Sequence, residues 1–195
     1  MQKACEAAGK EPIFQILPYQ KKKAGIVTTG SEVYYHRIED KFTPVVIDKL
    51  KECGVTEVKQ IQCNDDHEMI TEAILIEDGF DLIICTGGMS VDPDDRTPLA
   101  IKNACTEVVT YGAPVLPGAM FMLAYCEKEG RQIPVMGLPG CVMYAKRTIF
   151  DLVLPRIMCD EKLHEKDFRL LGQGGLCLSC PVCTFPNCGF GKGGY

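Results

Sequence analysis

Long apolar runs are missing from this 195-residue sequence, and their absence excludes one class of protein. A helix that crosses a bilayer needs roughly 18 consecutive apolar residues, and no stretch of the chain approaches that length. The opening residues, MQKACEAAGK, also lack the apolar segment of a secretory signal peptide. We therefore expect a cytoplasmic protein without a membrane partner.

An excess of positive charge is also missing. The sequence has 21 Lys and Arg against 26 Asp and Glu, a net charge of −5, which argues against nucleic-acid binding and favours a small-molecule partner. Histidine is scarce, and His36, His67 and His164 are too isolated to indicate a shared site. With 46% hydrophobic residues, the composition is typical of a folded domain.

Short apolar runs alternate with segments of helical periodicity through the middle of the chain. They predict strands at residues 24–28, 55–63, 81–85, 107–111 and 133–136, and helices at residues 39–53, from Asp66 to Gly79, after Pro98, at 119–126 and at 142–158. Such alternation indicates an α/β fold, a three-layer arrangement in which a mostly parallel sheet carries helices on both faces.

The ends of the chain differ from this pattern. Residues 1–23 show little periodicity and are interpreted as a linker or the end of an upstream domain. Residues 24–160 form the predicted α/β domain. Residues 161–195 are a C-terminal extension that carries a cluster of cysteines.

Three glycine-containing loops follow predicted buried strands, at residues 29–32, 86–95 and 137–140. Asp65 and Asp66 follow a fourth strand. The carboxyl ends of parallel strands meet at one sheet edge, where ligands bind in open α/β sheets. The sequence therefore predicts a ligand cleft at this edge, although helix capping is an alternative role for Asp65.

The loop after the central predicted strand combines glycine with acidic residues. Gly87 and Gly88 permit close approach to the backbone, and amide groups left free by such a turn bind phosphate oxygens. Asp92, Asp94 and Asp95 follow, and these carboxylates would repel a phosphate unless Mg²⁺ bridges them. This combination predicts a nucleotide-like site; the alternative is a strand followed by an acidic surface loop.

Four motifs together carry a family resemblance. TTGSE (28–32), NDD (64–66), TGGMSVDPDDRTP (86–98) and GLPG (137–140) resemble, in type, order and spacing, the molybdopterin-binding domain. That domain is shared by molybdopterin adenylyltransferase and molybdopterin molybdenumtransferase, and the likeness covers residues 24–158. It implies molybdenum cofactor biosynthesis, with a molybdenumtransferase-like role; an adenylyltransferase and a non-catalytic carrier or sensor are the alternatives.

The resemblance also implies site residues and partners. Asp65 and Asp95 would serve catalysis and bind Mg²⁺. The positions expected to hold the pterin and its phosphate are Thr29, Gly30, Glu32, Thr86, Gly87, Gly88, Ser90 and Gly140. The expected ligands are molybdopterin or its adenylylated form, with molybdate or ATP, and we expect a homo-oligomer, either a dimer or a trimer.

Several positions depart from the family pattern. Leu116 and Ala119 stand where molybdenumtransferases usually have lysines, Ser31 replaces an aspartate, and Cys141 replaces an asparagine. The loss of two cations removes charge-assisted contacts to an anionic ligand. Arg96, Lys146 or Arg147 would compensate if their side chains face the cleft; the alternative for Lys146 and Arg147 is an exposed helix face.

The glycine-rich tail is the second signal. Its four cysteines, at spacings of two, two and four residues, are Cys177, Cys180, Cys183 and Cys188. Thiolates this close in sequence are typical of a zinc site or an iron–sulfur cluster. The alternatives are a disulfide pair and a disordered end. The other eight cysteines, such as Cys85 and Cys105, are expected to be small buried hydrophobic residues in a reducing compartment.

Overall fold

The computed structural model describes residues 2–9, 14–76 and 79–193. Its strands are β1 (Lys23–Thr29), β2 (Glu57–Cys63), β3 (Leu82–Thr86), β4 (Glu107–Tyr111), β5 (Met122–Lys128) and β6 (Arg131–Leu138). Its helices are α1 (Gln2–Ala8), α2 (Ser31–Tyr34), α3 (Phe42–Glu52), α4 (His67–Ile76), α5 (Thr97–Ala104), α6 (Ile149–Met158) and α7 (Glu165–Leu170).

The strands form one sheet in the order β2-β1-β3-β6-β5-β4. Strands β2, β1, β3 and β6 are parallel to one another, whereas β5 is antiparallel to both of its neighbours. In the register, Thr28 pairs with Thr86 and Thr86 pairs with Leu138. Strands β1, β3 and β6 therefore end at the same level, as the convergence of their three loops requires.

Helices cover both faces of the sheet. On one face, α3 and α6 pack against the sheet through residues such as Leu50 and Phe150. On the other face, α4 and α5 pack through residues such as Ile70 and Ile101. All five residues of the central strand β3 are buried because helices lie above and below it. The predicted α/β fold with three layers is confirmed.

The helix predicted at residues 119–126 is wrong, because most of this segment belongs to strand β5. The five residues that begin β5 are buried and alternate between the two cores: Leu123 faces one and Ala124 the other. Strand β5 pairs with β6 through a two-residue turn in which Glu129 and Gly130 both have positive φ, 49° and 75°. This turn favours a hairpin, so strand pairing overrides the helical propensity of Met, Leu and Ala.

The helix predicted at residues 142–158 is shorter than expected. Helix α6 begins at Ile149, and α3, with 11 residues against its 10, is longer. Thr148 has extended backbone and forms a capping box with Asp151. The Thr148 side chain accepts a hydrogen bond from the N–H of Phe150, and the Asp151 side chain accepts one from the N–H of Thr148. The preceding residues 144–148 are irregular and lie near the predicted site.

Three further expectations concern the ends of the chain and its cysteines. Residues 1 and 10–13 of the predicted linker, and residues 194–195 of the predicted extension, lie outside the described residues. The described part of the linker contains α1. Cys85 is buried as expected, but Cys105 is not a free thiol, because it forms a disulfide with Cys126. Among the described residues, no helix is long and apolar enough to cross a membrane.

Candidate functional site

A cleft of about 830 Å³ opens where strands β1 and β3 end, beside the start of α3. Its polar floor contains Thr28, Thr29 and Thr86, whose side chains are at least 96% buried. Its apolar walls come from Val33, Ile38, Phe42, Val45, Met143 and Tyr144. The cleft therefore combines apolar side chains with a row of hydroxyl groups, at the edge where the sequence predicts a ligand.

A hydrogen-bonded network supports the polar floor. The hydroxyls of Thr28 and Thr43 lie 2.9 Å apart, and Thr86 Oγ1 lies 3.4 Å from Thr28 Oγ1. Gln60 Nε2 donates to both Thr28 Oγ1 and Thr43 Oγ1 at 3.0 Å, and to Asp40 Oδ2 at 2.6 Å. Four elements are thus joined beneath the cleft, which orients the hydroxyls before any ligand arrives.

Asp40 places a negative charge at the cleft. Its Oδ1 accepts hydrogen bonds from the N–H groups of Phe42 and Thr43, at 2.9 and 3.0 Å, at the start of α3. Burial raises the pKa of Asp40, but hydrogen bonds from Thr43, Phe42 and Gln60 outweigh it and hold this pKa below its ordinary value. The carboxylate is therefore ionised at neutral pH, beside Glu39 and Lys41.

Sequence reasoning missed Asp40, Gln60 and Thr43. An available signal was the run Asp40-Lys41-Phe42-Thr43-Pro44, since an acidic cap two residues before a helix and a proline in the first turn mark a helix start. Nothing in the sequence pattern links Gln60 to this cap. Its side chain meets Asp40 only because β2 lies next to β1 in the sheet.

The glycine pair after β3 packs tightly against the end of β1. Gly87 has a φ of +87°, and a Cβ there would lie 2.3 Å from the carbonyl oxygen of Thr29. At Gly88, with a φ of +54°, a Cβ would lie 2.8 Å from Thr97 Oγ1, which in turn lies 3.0 Å from Thr29 Oγ1. The glycines therefore allow close packing of two loops, besides the approach to a ligand that the sequence predicts.

The turn at Gly87 and Gly88 is followed by backbone N–H donors, of which some are unpaired and one is used within the loop. Within the described part of the chain, the backbone N–H groups of Gly88 and Met89 donate to no acceptor. The N–H of Ser90 donates to Asp95 Oδ2. Asp95 thus closes its own loop. The unpaired amide of the half-buried Gly88 is available to an anion, whereas Met89 is buried.

Asp65, on the neighbouring loop, also accepts a hydrogen bond from a loop N–H, as Asp95 does. Its Oδ2 accepts the N–H of Ser31 at 2.8 Å, so it connects the loop after β2 to the loop after β1. The residue that caps α4 is Asp66 instead, whose Oδ1 accepts from Glu68 and Met69. Capping by Asp65, the alternative role, therefore does not occur.

The predicted pterin-binding residues divide into two groups. Those that line the cleft are Thr29, Thr86 and Gly87. Those that do not line it are Gly30, Glu32, Gly88, Ser90 and Gly140, of which Glu32, Ser90 and Gly140 are exposed. Asp65 and Asp95 lie on loops at the same sheet edge. Among the described residues, no three Asp, Glu, His or Cys side chains form a group that could hold a metal ion.

The basic residues proposed to compensate for the missing lysines do not line this cleft. Arg147 donates to Glu52 Oε2 and to Asp151 Oδ1, both at 2.8 Å, and these hydrogen bonds raise the pKa of its guanidinium. Lys146 is exposed. Lys41, which sequence reasoning did not single out, provides a positive charge at the cleft.

A second cleft, of about 370 Å³, lies under the C-terminal tail. All four tail cysteines line it, together with Lys146 and Arg147. The four thiols are free, so a disulfide pair among them does not form. Tyr144 borders both clefts.

Comparison with known proteins finds similarity over most of the chain. A family model described as a probable molybdopterin binding domain matches residues 25–158. A CinA-like protein of Mycobacterium tuberculosis is 37% identical over 86 residues, which are 43% of this chain and 20% of that protein. This chain thus covers about a fifth of such curated relatives.

Solved structures share the fold at low identity. The tungsten cofactor synthesizing protein MoaB of Pyrococcus furiosus superposes with a TM-score of 0.53 and 19% identity, covering 72% of this chain and 89% of that one. The protein CinA of Thermoplasma acidophilum has a TM-score of 0.55 and 15% identity, covering 70% of this chain and 98% of that one. At these identities the likeness concerns the fold alone.

Proposed function

Because the chain belongs to the family of probable molybdopterin-binding domains, we propose that its sheet-edge cleft binds molybdopterin for a step of molybdenum cofactor biosynthesis. The observation that carries this proposal is the position of the cleft, where the parallel strands β1 and β3 end. Its volume of about 830 Å³ is also suited to a small ligand.

The lining of the cleft matches the parts of a phosphorylated pterin. A flat heteroaromatic ring would lie between the apolar walls, with Phe42 and Tyr144 offering aromatic surfaces. The ring's N–H edge would donate to the carboxylate of Glu39 or Asp40. The phosphate would accept a hydrogen bond from the free amide of Gly88, next in the chain to Gly87, which lines the cleft.

Mg²⁺ fits the two loop aspartates when it arrives with a phosphate. Asp65 and Asp95 each use one carboxylate oxygen to accept a loop N–H, which leaves the second oxygen for a metal. Magnesium in proteins is commonly bound by one or two carboxylates with substrate phosphates and waters completing its shell. The residues present therefore suit an ion shared with the ligand, and the ion would neutralise phosphate charge.

The reaction we favour is molybdenum insertion, in a molybdenumtransferase-like protein. In that role the chain's own groups would position the pterin and molybdate and offset their negative charge, and they would form no covalent bond to either. Adenylylation of the pterin phosphate by ATP is the close alternative and would use the same two aspartates.

A carrier or sensor that binds the pterin without turnover is the second candidate. The observation that favours it is the contact of Asp95 with the Ser90 N–H, which gives this carboxylate a purely structural task. The neutral residues Leu116 and Ala119, in place of lysines, favour it as well.

Two substitutions of Asp95 separate these roles. Asp95→Asn keeps an oxygen that accepts the Ser90 N–H but removes the charge, whereas Asp95→Ala removes both. The matched control is Asp92→Asn in the same loop, where Asp92 Oδ1 accepts the Asp94 N–H at 2.9 Å. Molybdopterin affinity would be measured by titration, and turnover with Mg²⁺ and either molybdate or ATP.

Catalysis predicts that Asp95→Asn retains affinity and loses turnover, while Asp92→Asn retains both. Product formed with molybdate assigns insertion, and product formed with ATP assigns adenylylation. Binding without turnover by the unaltered chain assigns a carrier or sensor. A chain that does not bind molybdopterin at all overturns the proposed function.

A further inference from the structure

We propose that residues 175–190, here called the cysteine loop, bind a metal centre through four thiolates, and that this centre is an iron–sulfur cluster. The ligands would be Cys177, Cys180, Cys183 and Cys188. This site is independent of the proposed pterin-binding function. Its support comes from how the loop is closed, what lines its cleft and how its cysteines are spaced.

The cysteine loop is tied at both ends to the body of the protein. The N–H of Gly191 donates to the Gly174 carbonyl at 2.7 Å, and the N–H of Cys177 donates to the Leu116 carbonyl at 2.9 Å. A Cβ on Gly174 would lie 2.0 Å from the Lys192 carbonyl oxygen, so closure depends on glycine at that position. The alternative of a disordered tail is therefore not what the structure shows.

Aromatic residues fix the second half of the loop. Phe190 is 4% exposed and belongs to the core beneath α6, and its ring centre lies 6.4 Å from that of Phe185. The Arg147 guanidinium lies 5.2 Å from the centre of the Phe185 ring. These contacts hold the loop's ends and one wall, but they do not touch its first, cysteine-rich half.

The segment that carries the thiols has no helix or strand of its own. From Cys177 to Cys188 the chain consists of turns and irregular backbone, and Cys180 and Cys183 are exposed. Segments too small to build a core are commonly held by disulfides or by metal. Since all four thiols are free, metal ligation is the available means.

A single zinc ion and a cluster place different demands on the four thiols. Zinc holds its ligands about 2.3 Å from one point, so four sulfurs must converge. In a cluster, the thiolates bind different iron atoms and surround a larger volume. Here all four cysteines border one cleft of about 370 Å³. Because no three side chains in the described residues are close enough to hold a metal ion, the loop would draw its thiols together when the centre binds.

The spacing of the cysteines and the charge around them support the assignment of an iron–sulfur cluster. Three cysteines two residues apart are typical of a cluster-binding run, whereas zinc sites more often use two separated pairs. Each cysteine would release its proton to solvent and bind iron as a thiolate. Lys146 and Arg147 also line the cleft, and their positive charges would offset the negative charge of the centre.

The test is to purify the full chain without oxygen, reconstitute it with equal amounts of ferrous and ferric iron and with sulfide, and count iron, sulfide and zinc per chain. The variants are Cys180→Ser and Cys183→Ser, both at exposed positions. The control is Cys159→Ser, a free cysteine outside the loop. Circular dichroism spectra would establish that all of these chains are folded.

The expected result is about four iron and four sulfide per chain with visible charge-transfer absorption. We expect the iron bound by each loop variant to fall at least about tenfold, and the iron bound by Cys159→Ser to stay unchanged. One zinc per chain without sulfide would overturn the cluster and keep the four-thiolate site. Iron retained by both loop variants, or no stoichiometric metal in the unaltered chain, would overturn the site itself.

Discussion

The two clefts of this protein differ in what holds their walls in place. The walls of the sheet-edge cleft are the ends of β1 and β3 and the start of α3, which are anchored in the cores. The walls of the second cleft are largely the cysteine loop, which lacks helix and strand. One cleft takes its shape from the sheet, and the other depends on loop closure and on whatever the thiols bind.

This difference indicates how each cleft responds to change. Damage at the sheet-edge cleft is transmitted to the core, because its threonines are buried and joined by hydrogen bonds. We expect damage in the first half of the cysteine loop to stay within the loop, because that segment contains neither helix nor strand. Four predictions test this contrast.

The largest effect is expected from Gly87→Ala. An added Cβ would lie 2.3 Å from the Thr29 carbonyl oxygen, at a φ of +87°. We expect the free energy of unfolding to fall by about 2–3 kcal/mol, measured by urea denaturation. In the control Gly140→Ala, the Cβ meets no atom within 4 Å, so we expect a change within about 0.5 kcal/mol. Equal effects at both positions would refute the close packing of the two loops.

The corresponding change at the base of the cysteine loop is Gly174→Ala, which places a Cβ 2.0 Å from the Lys192 carbonyl oxygen. We expect a loss of about 1–2 kcal/mol, with faster amide exchange at Gly191 and unchanged exchange in β3. The control is Gly189→Ala, where the Cβ meets open space. Faster exchange in β3 as well would show that the loop and the core are not separate units.

A smaller effect is expected where the two regions meet, at Arg147. Arg147→Met removes ion pairs to Glu52 and Asp151 and the contact with Phe185. Because Asp151 keeps Lys49 at 2.7 Å, we expect a loss of only about 1–2 kcal/mol. Amide exchange in the cysteine loop should rise.

The control for Arg147→Met is Arg169→Met, since the exposed pair of Arg169 with Glu165 contributes about 0.5 kcal/mol or less. If molybdopterin affinity fell tenfold in Arg147→Met, the two clefts would be coupled through this residue. We expect that affinity to stay unchanged.

The smallest effect concerns pH and the attachment of the C-terminal extension. Hydrogen bonds from Arg156 hold the pKa of Glu161 below its ordinary value. Because this pKa is lower in the folded state, ionised Glu161 stabilises the fold at pH values above the unfolded pKa of about 4. That stabilisation is lost as the pH falls through the folded pKa. We expect Glu161→Gln to cost under about 1 kcal/mol at pH 7 and to reduce the loss of stability below pH 4, measured by thermal unfolding.

The sheet was predictable because its signals are local. The buried residues of β1, β3 and β6 form short apolar runs, and each run is followed by glycine or a polar turn. Strand β5 was not predictable from composition, since Met, Leu and Ala favour helix and only the positive φ values of Glu129 and Gly130 reveal the hairpin. The start of α6 had a readable capping box at Thr148 that apolar periodicity concealed.

The site was predictable in outline and not in detail. The convergence of loops at the sheet edge follows from parallel strands, and Thr29, Thr86 and Gly87 line the cleft there. The network of Asp40 and Gln60 was not, because these side chains come from different elements and meet only when β2 pairs with β1.

The sequence by itself determined the layered α/β architecture, the sheet edge at which the glycine-containing loops lie and the presence of four close cysteines. These depend on apolar periodicity, turn chemistry and spacing, which are properties of short segments. Only the tertiary structure decided that Asp95 closes its own loop and that Asp65 bridges two loops. It also decided that the cysteines share a cleft bordered by Tyr144, because distances between remote segments are set by packing around the sheet.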